Sequence, residues 1–259
     1  MRESPLTMAG ELYRLSLTNL VEFNCFYNVS PKTMVFDPIY MLLMIPGMVL
    51  MFWAQSRVKG TYRRYAQIQS SLGMTGSQVA QAILSKKGIG HIKVEPVAGE
   101  LTDHYDPGAK TVRLSQGIYG SSSLAAAAVA AHECGHVLQD VEGYRFMNFR
   151  AALVPLVNLG SNLGPMLIMA GLIFNILNLA WLGVFFFAAV LLFHVVTLPV
   201  EFDASHRALR LIDELGILQG NENKGARAVL NAAALTYVAT AFYAFLNLLY
   251  YIMLINRRQ

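Results

Sequence analysis

Four apolar stretches, at residues 39–54, 153–177, 179–200 and 229–255, constrain this chain more than anything else in it. A helix needs about 20 mostly apolar residues to cross the hydrocarbon core of a bilayer. Lipid offers no partner to backbone amides and carbonyls, so such a stretch must satisfy them internally, as a helix does. The first stretch is short, and its Pro46-Gly47 pair predicts a kink. The second and third are separated only by Leu177-Asn178-Leu179, which predicts a tight hairpin. Composition agrees: 55% of the 259 residues are hydrophobic and 14% are charged, where a soluble domain carries about a quarter charged residues. The expected fold class is a mainly α integral membrane protein with about four transmembrane helices.

Two polar segments remain, a long one at residues 55–152 and a short one at 201–228. Two spans lie between them, so both emerge on the same side of the bilayer. Arg57, Lys59, Arg63 and Arg64 follow the first span, Arg145 and Arg150 precede the second, and Arg207, Arg210, Lys224 and Arg227 separate the third from the fourth. The opposite side has Arg2, Arg14, Lys32, Arg257 and Arg258. The excess places both polar segments in the cytoplasm. A net charge of +4, with the basic residues scattered beside apolar spans, suits lipid headgroups rather than nucleic acid. Arg2, Glu3, Glu11 and Arg14 interrupt any apolar core, so the first residues do not read as a signal peptide. No role is assigned to residues 1–37. Cys25 and Cys134 build neither a disulfide framework nor a cysteine metal site.

Within the long segment, residues 77–87 read as a helix closed by Gly88-Ile89-Gly90. Residues 91–115 read as strands, with Asp106-Pro107-Gly108 a turn between 101–105 and 111–114. Residues 122–140 are helical, with a run of alanines. In the short segment Glu201 opens an amphipathic helix that continues to about Glu214 and ends at Gly216. A small α+β cytoplasmic domain resting on the spans is expected.

His132-Glu133-Cys134-Gly135-His136 carries the chemistry. Helical residues four apart lie on one face, so the two imidazoles can grip a single zinc ion. Glu133, next to the first ligand, can reach a water that zinc makes more acidic, take its proton and pass it to a leaving amine. A catalytic zinc site needs three protein ligands and one open position. Glu201, at the cytoplasmic end of the third span, is the candidate third ligand. His206 competes with it but reads as a solvated surface group. His194 lies within the third span and reads as packed. Asp203 and Asp213 could hold a ligating histidine or simply face water. His104, in the hairpin, could touch substrate or be structural. Cys134 points off the ligand face and reads as packing. The last three spans contain no Asp or Glu, so the metal belongs at the water boundary and not inside the bilayer. Gly160 and Gly164 form a small-residue surface for helix packing. Asn158, Asn162, Asn231, Thr236, Thr240 and Asn247 are expected to bond across helices.

Longer motifs run through the chain: Trp53-Ala54-Gln55-Ser56, Gly73-Met74-Thr75-Gly76, Asp103-His104-Tyr105-Asp106-Pro107, and Lys110-Thr111-Val112-Arg113-Leu114-Ser115. They continue with Ala128-Val129-Ala130-Ala131-His132-Glu133, with Leu198-Pro199-Val200-Glu201-Phe202-Asp203-Ala204-Ser205, and with Leu230-Asn231-Ala232-Ala233-Ala234-Leu235-Thr236-Tyr237. In these the chain resembles the YugP-like bacterial membrane zinc peptidases from about residue 39 onward. The resemblance implies one zinc ion per chain, peptidase activity, a cell-membrane location and Glu201 as third ligand. Glu201 to Ser205 is also similar to the third-ligand helix of the peptidases related to heat-shock protease HtpX, which have an acid where this chain has Ser205. Asp203 is the residue that would compensate. In that wider group an edge strand before the motif helix holds the peptide, and Thr111–Ser115 would be its counterpart, binding substrate by strand addition. The expected function is a zinc-dependent, membrane-bound endopeptidase with a zincin-like domain, acting on membrane-associated polypeptide at the cytoplasmic surface. The rival reading is a non-enzymatic membrane scaffold or chaperone-like module with a structural metal site.

Overall fold

Asp37 opens the first helix of the computed structural model, which describes residues 37–258. Cys25, the flanking cations Arg2, Arg14 and Lys32, and the reading of the first residues lie outside the described residues. The elements run α1 (Pro38–Ala66), α2 (Gly76–Lys86), β1 (Lys93–Val97), β2 (His104–Asp106), β3 (Thr111–Ser115), α3 (Gln116–Tyr119), α4 (Leu124–Val141), α5 (Arg145–Ile173), α6 (Leu177–Glu214) and α7 (Asn221–Asn256). The chain is mainly helical with one small sheet. Helices α1, α5, α6 and α7 are each long and apolar enough to cross a membrane.

Helix ends follow capping chemistry and not the ends of the apolar stretches. Asp37 caps α1 by accepting from the Ile39 amide at 2.9 Å, with Pro38 in the first turn. Thr75 and Gln78 form a reciprocal capping box on α2. At the far end of α6, Gly216 takes φ +63° and the Ile217 amide returns to the Ile212 carbonyl at 2.9 Å, a left-handed stop that only glycine adopts without strain. Because no such stop precedes Glu201, α6 runs unbroken through Pro199 from its apolar part into the polar segment. Glu201 therefore sits mid-helix and does not open a new one. The hairpin turn also lies earlier than Leu177-Asn178-Leu179. Asn175, at φ +57°, ends α5, and the Ile176 amide bonds the Gly171 carbonyl at 2.7 Å. Asparagine here takes the left-handed role usual for glycine.

Small residues let α5 and α6 touch, as Gly160 and Gly164 predict. A Cβ on Gly160 would lie 2.4 Å from the Phe186 carbonyl oxygen, and one on Gly171 would lie 2.4 Å from the Ala180 amide nitrogen. Of the residues expected to bond across helices, Thr240 reaches Met51 Sδ on α1 at 3.7 Å, and four bond along their own helices. Asn162, Thr236, Thr240 and Asn247 donate to carbonyls three or four residues back on their own helices. A carbonyl one turn away is always within reach, so apolar surroundings satisfy these groups locally.

The sheet has the order β1-β3-β2, with β1 parallel and β2 antiparallel to β3. Thr111–Ser115 is thus the central strand, which corrects its assignment as the substrate-holding edge: both of its sides are already paired. Pro96 keeps β1 at the border, since it has no amide to offer a further strand.

Helix α4 occupies the middle. Ser123 caps it by accepting from the Ala126 amide. Ala125–Ala128, Ala130 and Ala131 are all fully buried, and their small side chains let α2, α6 and α7 close around the helix. Cys134 is buried with its sulfur 3.8 Å from the Ala80 carbonyl oxygen, which is the packing role expected of it.

Candidate metal centre

His132 and His136 stand one turn apart on α4, with imidazole centroids 4.8 Å apart. Glu201 reaches them from α6. Its Oε2 lies 3.3 Å from His132 Nε2 and 3.7 Å from His136 Nε2. All three donor atoms fall within 4.8 Å of one another. Tetrahedral zinc with bonds near 2.0–2.1 Å holds its donors about 3.3 Å apart, so the cluster fits a metal ion.

What brings these segments together is Gly135. A Cβ there would lie 2.5 Å from the Ala204 carbonyl oxygen. The two helix backbones meet at the residue just before His136, one turn from Glu201. Four residues along α6, Ser205 Oγ lies 3.2 Å from His132 Nδ1. His136 Nδ1 lies 2.9 Å from Gln139 Oε1. With each Nδ1 engaged, both Nε2 atoms are turned to the space beside Glu201.

Two residues of this site were not singled out from the sequence. Gln139 is fully buried, and its amide also donates to the Val200 carbonyl at 2.7 Å and to Asp203 Oδ2 at 2.8 Å. Its spacing of three from His136 put it on the same face and was the available signal. Arg150, read above only as a topology cation, places Nη1 3.7 Å from Glu201 Oε1. The carboxylate is thereby divided, one oxygen toward the imidazoles and the other toward a guanidinium. Asp203 does not stand in for the missing acid at position 205. It acts through Gln139 on the other histidine, and is itself held by Arg207 Nε at 2.6 Å.

Glu133 is buried beside the cluster. Burial pushes its carboxyl up to about 8; the His132 charge and a hydrogen bond from the Tyr105 backbone oppose that, while Asp103 and Glu201 reinforce it. A cation at the three donor atoms would pull the value back down. Strand β2 is fixed above Glu133 by its neighbours. Asp103 accepts from the Ser115 amide at 2.7 Å, and Tyr105 Oη donates to Asp140 at 2.7 Å. Asp106 closes the expected turn by accepting from Gly108, Ala109 and Arg113.

The remaining candidates lie elsewhere. His206 is exposed. His194 packs edge-on against Phe193. His104 Nδ1 is engaged by the Thr102 carbonyl at 2.8 Å, and Asp213 is exposed and bonded to Asn223. A cavity of about 460 Å³ opens onto His132, Glu133 and Glu201.

Comparison with known proteins follows the same direction. The family model described as "Putative neutral zinc metallopeptidase" matches residues 40–256. The Bacillus subtilis (strain 168) protein named "Putative membrane protease YugP" is 43% identical over 216 residues, which cover 83% of this chain and 96% of that protein. No solved structure matches the chain.

Proposed function

We propose, from the premise that this chain belongs to the neutral zinc metallopeptidase family, that it is a membrane-bound endopeptidase working at the cytoplasmic face of the cell membrane. One zinc ion is held by His132, His136 and Glu201, and Glu133 is the general base. The observation that carries this reading is the convergence of three donor atoms, from segments far apart in sequence, to within 4.8 Å.

Bound there, zinc supplies a Lewis acid that polarises a peptide carbonyl and acidifies water. Glu133 receives a proton at its carboxylate and delivers it to the leaving amine nitrogen. Its buried setting favours holding that proton between the two transfers, and the Tyr105 amide fixes the carboxylate on the side of β2. Ser205 and Gln139 keep the imidazoles turned toward the metal, and Arg150 steadies the remaining oxygen of Glu201.

The substrate is polypeptide. With β3 paired on both sides, the strand available for addition is β2, which lies beside Glu133. The α4 helix with its paired histidines, under a short sheet and closed by an acid from a later helix, is a zincin-like arrangement. Glu133→Gln should retain zinc while peptide cleavage falls by about 10²- to 10⁴-fold. Zinc retention with cleavage at the wild-type rate would remove Glu133 from the chemistry.

A further inference from the structure

The cavity at the metal centre does not end there. It continues between α1 and α7, where Met51, Ala54 and Val58 on one helix face Leu230, Ala233 and Thr240 on the other. These residues come from, or directly adjoin, the apolar stretches at 39–54 and 229–255, so the deep end lies at the level of lipid. Along α7 the lining reaches from Val229 to Thr240, about 16 Å at a rise of about 1.5 Å per residue. The mouth is polar, with Lys59, Arg63 and Glu100.

Below Thr240 the seam is shut. Thr240 Oγ1 lies 3.7 Å from Met51 Sδ, and a Cβ on Gly47 would come within 2.9 Å of the Tyr243 ring. Helix α1 is the least enclosed of the four: 22% of its apolar window is buried, against 39% for α6 and α7. Leu42, Val49 and Phe52 on α1 are exposed.

Strand addition at β2 would present the substrate to the metal centre in extended form, and the shaft continues from that site. An extended chain rises about 3.3 Å per residue and fills the same depth with about five residues. We infer that this shaft binds an extended, apolar stretch of about five residues on one flank of the scissile bond, drawn from a polypeptide anchored in the membrane. The inference rests on the peptidase reading and adds the substrate class to it: a membrane-embedded chain locally unwound at the end of its apolar segment.

The test uses zinc-loaded, full-length protein in phosphatidylcholine–phosphatidylglycerol vesicles. Peptides carry two or five leucines on either flank of one candidate bond, the fifth being a photoreactive leucine analogue. With the Glu133→Gln protein, the five-leucine peptide should cross-link to the segments bearing Met51 and Thr240. Cross-links confined to the mouth near Glu100, or a retained lipid that peptide does not displace, would overturn the inference. In the active protein, kcat/KM for the five-leucine peptide should exceed that for the two-leucine peptide at least tenfold, and Thr240→Phe should bring the ratio near one. A ratio that Thr240→Phe leaves unchanged would also overturn it. Deep cross-links without any cleavage would support the shaft and contradict the peptidase reading; cleavage without them would do the reverse.

Discussion

Gln139 shows how much of the proposed centre depends on a residue that touches no metal. It ties His136 Nδ1 to the Val200 carbonyl and to Asp203 on the facing helix, so one buried amide sets both the ring's orientation and its distance from Glu201. Gln139→Leu should weaken zinc binding by about 10- to 100-fold, measured by chelator competition, while His206→Ala leaves it unchanged. Equal affinity in wild type and Gln139→Leu would contradict that role. His132, Glu133 and His136 were legible in the sequence because one helical turn fixes their relation wherever the helix lies. Gln139 and Arg150 were not, because their partners are on other elements and no spacing encodes that. Ser205 was legible only as a departure from the acid expected there; the structure shows its hydroxyl beside His132 Nδ1.

Between elements, the close contact of α4 and α6 decides whether Glu201 arrives at all. Gly135→Ala puts a Cβ against the Ala204 carbonyl oxygen, 2.5 Å away before relaxation. Overpacking of this kind costs about 1–3 kcal/mol, and the helices can relieve it only by separating. Thermal denaturation and zinc titration of Gly135→Ala should both show a loss. A variant as stable and as zinc-competent as wild type would mean that the contact does not position Glu201. Capped ends were the readable part of the fold: Gly88, Gly216 and the Asp106 turn all fall where the residues predict. Strand order was not readable, because the parallel pairing of β1 with β3 joins segments whose local patterns do not mention each other. Thr111–Ser115 was taken for an edge by analogy with the HtpX-related peptidases, and its own residues carried no signal against that. The α5–α6 turn moved because Asn175 and Asn178 are locally equivalent, and only packing at Gly171 and Ala180 chooses between them.

Across the whole molecule, the proposed orientation follows from charge. The terminal Arg257 and Arg258 stand against it in the sequence, but both are engaged in the fold. Arg257 pairs with Asp37 at 3.1 Å, and Arg258 donates to the Leu172 carbonyl at 3.0 Å. Only Arg257 is paired with an acid; Arg258 keeps its charge, and the proposed orientation rests on the excess of Lys and Arg beside the two polar segments. In a Cys25→Ser, Cys134→Ala background, single cysteines at Arg64 and Asn221 should resist an impermeant thiol reagent in intact cells and react after permeabilisation. Labelling of either from outside would reverse the orientation. The central claim is that two distant segments share one zinc ion, and zinc K-edge absorption with metal analysis of wild type and Glu201→Ala tests it most directly. Wild type should bind one zinc per chain with only nitrogen and oxygen neighbours near 2.0–2.1 Å, two of them imidazoles, and Glu201→Ala should lose occupancy. A sulfur neighbour near 2.3 Å, or a Glu201→Ala protein with unchanged occupancy and spectrum, would contradict it.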